Sequence, residues 1–215
     1  MKRFQKSFFN FSIVFLFMCV LLQLYGCALF GTSSPKTEYY TLEYDSPKFA
    51  GFNAQPFIIK IDRFYASPLY NSEKISYRKS DFQTDEYNYK RWETNPSQLI
   101  AYFLYRDMKQ SGIFKGVFSH DTGYAATHSV SGTVDEFYED DRGKAWEAVL
   151  SLDIVLMAEN EPDINKRILF QKKYSARKPC IKKNPQAVAE AMSKAMSELS
   201  GQIITDIHKS FSGKI

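Results

Sequence analysis

Histidine and cysteine are scarce in this chain, three of each in 215 residues. His120, His128 and His208 have no metal-like spacing with one another or with a cysteine, which argues against zinc. No nucleophile elbow of the form G-x-S-x-G occurs, and no P-loop or dinucleotide glycine pattern. The expectation is therefore a non-enzymatic protein with no cofactor. Acidic residues are missing from the front, where none precedes Glu38. Much of the formal net charge of +4 comes from Lys2, Arg3 and Lys6 in that stretch. Without residues 1–26, 25 Lys and Arg face 24 Asp and Glu. Such a balance lacks the concentrated basic surface that nucleic-acid binding requires.

The front end has a distinct pattern. "MKRFQKS" is basic, and "FFNFSIVFLFMCVLL" (8–22) is almost wholly apolar, as in the n-region and h-region of an export signal. The apolar run is short for a transmembrane helix, which needs about 20 residues, and Asn10 and Gln23 bracket it. "LYGC" then resembles a bacterial lipobox, with Leu24, Tyr25 and Gly26 before the cut and Cys27 as the thiol that takes the lipid. Tyr25 is bulkier than the residue usual at that position. An uncleaved N-terminal anchor is the alternative, and in either case the body lies beyond the inner membrane. Ala28 in place of aspartate resembles lipoproteins sorted to the outer membrane, with the inner membrane as the alternative. Cys19 would leave with the signal and Cys27 would carry diacylglycerol and an acyl chain such as palmitate. Cys180 would then be alone, without an internal disulfide.

Residues 27–37 read as the acylated cysteine and a flexible tether, and 38–211 as one periplasmic domain. "EYYTLEY" (38–44) reads as a first strand, and "PFIIKIDRF" (56–64) as a second with Ile59 and Ile61 on one face. After a turn at Ser67-Pro68 come short strands Lys74–Arg78 and Tyr87–Trp92, joined by polar residues 79–86. "NPSQLIAYFLYRDMKQSG" (95–112) is a helix, with Asn95 as cap, Pro96 in the first turn and Gly112 at the end. Strands at 114–119, 128–139, 144–159 and 167–176 follow, then a long helix from Asn184-Pro185 to about Lys209. The fold class is mixed α/β: a largely antiparallel central sheet with flanking helices.

"VDEFYEDDRG" gathers five acids, which strict alternation would split between faces, Asp135 with Glu139 and Glu136 opposite. Asp140, Asp141 and Gly143 suit a tight hairpin turn. The first half is also crowded with aromatic residues. Core and strand propensity accounts for most of them. A minority on one exposed face would make a binding hot spot.

The order of "YYTLEY", "IIKIDRFYASPLYNSEKISYR", "YNYKRWETNPSQLIAYFLYRDMKQSGIFKGV" and "VSGTVDEFYEDDRGKAWEAVLSLDIVL" resembles the ABC-type transport auxiliary lipoproteins over roughly residues 38–210. The resemblance implies an outer-membrane lipoprotein that partners an ABC permease, an ATPase and a periplasmic mammalian-cell-entry (MCE) domain protein in lipid transport. A homo-oligomer is compatible with that reading. The docking surface expected on it comprises Phe64, Tyr65, Leu69, Tyr70, Tyr77 and Trp92. Two other readings are a periplasmic lipid carrier and an outer-membrane assembly lipoprotein without a transport role.

Overall fold

The computed structural model describes residues 35–211 with the exception of Lys144, so residues 1–26, the lipobox and Cys27 lie outside the described residues. The chain from Thr37 onward forms a compact unit, with eight strands and three α-helices among its described residues. The strands are β1 (Glu38–Tyr40), β2 (Gln55–Ala66), β3 (Lys74–Ser80), β4 (Gln83–Trp92), β5 (Phe114–Ser119), β6 (His128–Asp140), β7 (Glu147–Ala158) and β8 (Ile168–Pro179). The helices are α1 (Pro96–Gln110), the single turn α2 (Ile164–Arg167) and α3 (Pro185–Phe211).

The sheet is built around β6. On one side, β7 and then β8 continue it as an antiparallel meander. Its other side is divided lengthwise. The first half of β6 pairs in parallel with β2, and Glu139 and Asp140 at its end pair in parallel with β3. β2 and β3 thus share one edge of β6, separated by a 3-10 turn at Pro68–Tyr70. From there the sheet forks: β5 lies parallel beside β2, while β4 pairs antiparallel with β3 and parallel with β1. The fold is mixed α/β, as expected.

Both long helices begin with the same device. The Asn95 side chain accepts the Ser97 N–H at 3.0 Å, with Pro96 inside the first turn, and Asn184 accepts the Ala187 N–H at 2.8 Å ahead of Pro185. Gly112 takes φ 65° just past α1, a left-handed conformation suited to glycine. The apolar stripe of α1 (Leu99, Ile100, Phe103, Leu104, Met108) and that of α3 (Val188, Met192, Leu199, Ile203, Ile207) are buried. Ala191 and Ala195 bring α3 close to the sheet.

Three details differ from the expectation. Strand pairing in "EYYTLEY" stops at Tyr40, and the chain then crosses the helices as an irregular strap. Leu42 is buried, the Glu43 N–H donates to Ser193 Oγ at 3.0 Å, and Tyr44 stacks on Phe103 at 5.3 Å. The alternation at 41–44 therefore reflects packing on helices instead of a sheet. The hairpin of β3 and β4 is longer than expected, closing at Asp81–Phe82 with Ser80 opposite Gln83. Residues 79–85 are exposed, so no buried face imposes a period of two there. A β-bulge between Val134 and Glu136 also breaks the alternation of β6. Asp135 pairs with Lys173 at 3.1 Å while Glu139 is buried opposite Ala148, so those two acids do not share a face.

Candidate docking surface

The six aromatic and aliphatic residues of the expected surface separate by burial. Trp92, 1 % exposed, packs edge-on against Phe137 at 4.9 Å under the helix layer. Phe64 is buried across Gly132 of β6. Tyr70, 2 % exposed, stacks on Tyr138 at 5.6 Å, and its hydroxyl accepts a hydrogen bond from Arg78 Nη2. The Arg78 guanidinium lies over Tyr138, 4.3 Å from the ring centroid. Phe64, Tyr70 and Trp92 are therefore core residues that shape the surface from beneath. Contrary to the expectation from sequence, these three offer no ring to a partner.

Tyr65 and Leu69 remain outside, 71 % and 60 % exposed, at the end of β2 and on the 3-10 turn that follows. Tyr77 is half-buried. Its ring tilts against Tyr87 at 4.9 Å, and its hydroxyl donates to Asp85 Oδ2 at 2.8 Å, which raises the phenol's pKa. Further apolar exposure lies at Phe82 on the hairpin tip, whose side chain has no protein neighbour to cover it, and at Tyr102 on α1. Neither was singled out by sequence. A large apolar residue at the two-residue turn of a polar hairpin was the available signal for Phe82.

A groove of about 650 Å³ opens beside α1, and the Leu69 turn is not part of its lining. Asn71, just past the turn, accepts from Asn95 Nδ2 at 2.8 Å and ties the turn to the start of α1. Ile61 and Phe64 form the apolar floor of the groove, Ala101 and Tyr102 its helical wall, and His120 and Asp121 its far rim. His120 pairs with Asp121 at 2.6 Å, and Asp62 pairs with Lys60 at 3.3 Å. Arg63 also lines the groove and makes no ion pair among the described residues.

Away from the groove lie a buried carboxyl, Glu139, and a half-buried thiol, Cys180. Desolvation pushes the Glu139 carboxyl up to about 7, opposed by the hydrogen bond from the Tyr87 hydroxyl at 3.1 Å. Burial also pushes the neighbouring Cys180 thiol up to about 11, so at neutral pH it stays protonated and is a poor nucleophile. Among the described residues no group of three or more His, Cys, Asp and Glu side chains could hold a metal ion. No described helix is long and apolar enough to cross a membrane.

The family model described as the ABC-type transport auxiliary lipoprotein component matches residues 40–204. The chain belongs to that family. The match runs from the last residue of β1 to well inside α3, so this family's characteristic sequence is that of nearly the whole folded unit. No curated protein sequence matches the chain. Solved structures share its fold at low identity. A protein from Xanthomonas campestris superposes with a TM-score of 0.73 at 14% identity, covering 82% of this chain and 98% of that one. An uncharacterized protein gives 0.63 at 14% identity, covering 80% and 99%. A hypothetical protein from Chlamydia trachomatis gives 0.50 at 8%, covering 73% and 98%. As a member of the auxiliary lipoprotein family, the protein serves ABC-type transport as an accessory component.

Proposed function

We propose that this protein is a non-enzymatic, lipid-anchored adaptor that docks the periplasmic MCE assembly of a lipid ABC transporter to the outer membrane. The observation that carries the reading is the family match across residues 40–204, nearly all of the compact unit. In this reading Cys27 is acylated after cleavage behind Leu24, Tyr25 and Gly26, and the permease and ATPase do the energetic work elsewhere. The ten residues 28–37 would then hold the domain near the bilayer. A flexible chain of that length spans ~18 Å on average. Such a tether permits contact with a partner rising from the inner membrane while keeping the domain at one surface. Tyr65 and Leu69, exposed at the end of β2 and on the turn that follows, are the side chains best placed to meet that partner. Tyrosine and other large side chains at the centre of a contact contribute disproportionately to binding.

The test is mild cross-linking of the full-length protein in cells, followed by purification and separation of the two membranes. The reading expects an MCE-domain protein, a permease and an ATPase in the eluate, with the protein itself in the outer-membrane fraction. Recovery in the inner-membrane fraction with the same partners would move the anchor and keep the adaptor role. Absence of all three transporter components would remove the role.

A further inference from the structure

The hairpin of β3 and β4 projects beyond the rest of the sheet. The last pairing of β3 with β6 joins Arg78 to Asp140, and β1 lies beside β4 only from Lys90 to Trp92. Among the described residues, 79–89 therefore have no strand beside them outside the hairpin itself. Asp81 and Phe82 make the two-residue turn at the tip, and the Phe82 ring is fully exposed. Glycine, asparagine and aspartate suit such turns; a phenylalanine there serves neither the turn nor the core. A second large apolar side chain, Ile181, is 76 % exposed at the same end of the sheet. Its place follows from the pairings: Pro179 lies opposite Glu147, Glu147 opposite Asp140, and the Cys180 N–H donates to the Trp146 carbonyl at 2.7 Å.

The chain enters the folded unit from this end too. β1 runs parallel to β4, away from the tip, with Glu38 opposite Lys90, so Thr37 lies on the tip's side of that pairing. From Lys90 back to Phe82 is eight residues, about 26 Å of strand.

We infer that the hairpin is a lipid-contacting foot: Phe82, with Ile181 at the same end, rests in the headgroup region of the bilayer that anchors the chain, and so fixes which way the domain faces. The inference rests on the membrane anchoring in the adaptor reading, in which residues 28–37 are the tether. Ten residues of flexible chain span ~18 Å on average, less than the ~26 Å by which the tip overreaches Glu38. With the hairpin pointing at the bilayer, the tip meets lipid unless the tether is drawn out well past its mean. One aromatic ring alone would bind a membrane weakly, since even a single myristoyl chain gives only marginal binding. The tether makes the contact intramolecular, at an effective concentration on the order of millimolar, so Phe82 need only bias the orientation of a domain already held at the surface. The contact is apolar and asks nothing of lipid charge, because Asp81 pairs with Arg142 at 2.7 Å and Asp141 with Lys183 at 3.0 Å. The opposite end of the sheet, where β7 passes through α2 into β8, then faces away from that bilayer.

The test uses the full-length protein, purified from cells and reconstituted in phosphatidylcholine vesicles, with a photo-reactive phenylalanine analogue replacing Phe82, Ile181 or Ile164. Ile164, 73 % exposed on α2, is the control from the opposite end. After irradiation, mass spectrometry should find phospholipid adducts at Phe82 and Ile181, and about tenfold fewer at Ile164. Phe82→Ser should lower the adduct at Ile181 by about tenfold while the chain still floats with the vesicles, the scale expected for withdrawing one apolar side chain from lipid. Equal labelling at all three positions would mean no fixed orientation and would overturn the proposal. Adducts at Phe82 dominated by a second copy of this chain would make the hairpin an arm between protomers and likewise overturn it. Flotation and intact mass read the anchor separately. An acylated chain that floats without lipid adducts at Phe82 contradicts the foot and leaves the adaptor reading standing. Adducts at Phe82 from a floating chain with no acyl group on Cys27 support the foot and contradict the lipidation. A chain that does not float contradicts both.

Discussion

The Phe64 ring lies where a side chain on Gly132 would have to be: a Cβ at that glycine would fall 2.6 Å from Phe64 Cε2 and 2.9 Å from Ile154 Cδ1. These two residues face each other across the β2–β6 pairing, so the missing side chain on β6 makes room for the floor of the groove. Gly132→Ala should therefore destabilise the domain by about 1–3 kcal/mol, the usual cost of overpacking. Combining it with Phe64→Leu should recover part of that loss. Urea midpoints of the single and double variants measure both effects.

Asp107 is fully buried in α1 and accepts from the Tyr44 hydroxyl at 2.8 Å, the Ser46 hydroxyl at 2.6 Å and the Arg106 guanidinium at 2.8 Å. It pins the strap to the helices. Asp107→Ala leaves Arg106 without its acid and two hydroxyls without their acceptor, at an expected cost of about 3 kcal/mol. Amide exchange should accelerate in residues 41–54 well before it does in β6 and β7. Uniform acceleration across the domain would mean that the strap has no independent opening.

Glu139 gives the protein a pH dependence of definite sign. Desolvation holds its folded pKa near 7, above the 4.5 of a solvated glutamate, so in that interval the folded state keeps a proton that the unfolded state has released. The contribution of this group to stability is greatest at low pH and is lost as pH rises from about 4.5 through 7. Glu139→Gln should flatten that part of the profile and raise stability at pH 8 by roughly 1–2 kcal/mol. Thermal midpoints of both proteins between pH 4 and 8 provide the check.

Burial separates residues that the sequence could not. Trp92→Ala should cost about 3–5 kcal/mol through loss of a buried aromatic. Tyr65→Ala with Leu69→Ala should change stability by less than about 1 kcal/mol, since both side chains are exposed. A loss of partner binding by the second pair at unchanged stability would be an effect on the interface. The same loss in Trp92→Ala would be an effect on folding.

The contrast explains what was legible beforehand. Asn95-Pro96 and Asn184-Pro185 carry their helix starts in two residues each, and the β6–β7 meander shows its core in alternating Val, Leu and Ile. These signals are local. The division of β6 between β2 and β3 depends on pairings between residues some 60 positions apart, and no local period encodes it. Tyr70 and Trp92 look like Tyr65 and Leu69 on composition, because aromatic side chains suit both cores and contacts. Burial alone distinguishes them, and that depends on Tyr138 and Phe137 arriving from β6. The groove was invisible for a related reason: it exists because β5 stops at Ser119 while β2 continues, and strand ends are the least local feature of a sheet.

The adaptor role is tested most directly by a photo-reactive phenylalanine analogue placed at Leu69 in the full-length protein and irradiated in growing cells. Leu69 is exposed on the 3-10 turn after β2, so the substitution perturbs no core contact. The expected product is one dominant adduct, containing an MCE-domain protein, that disappears when Cys27→Ala prevents anchoring. An adduct with no transport component, or none at all from a folded and lipidated protein, would contradict the role proposed here.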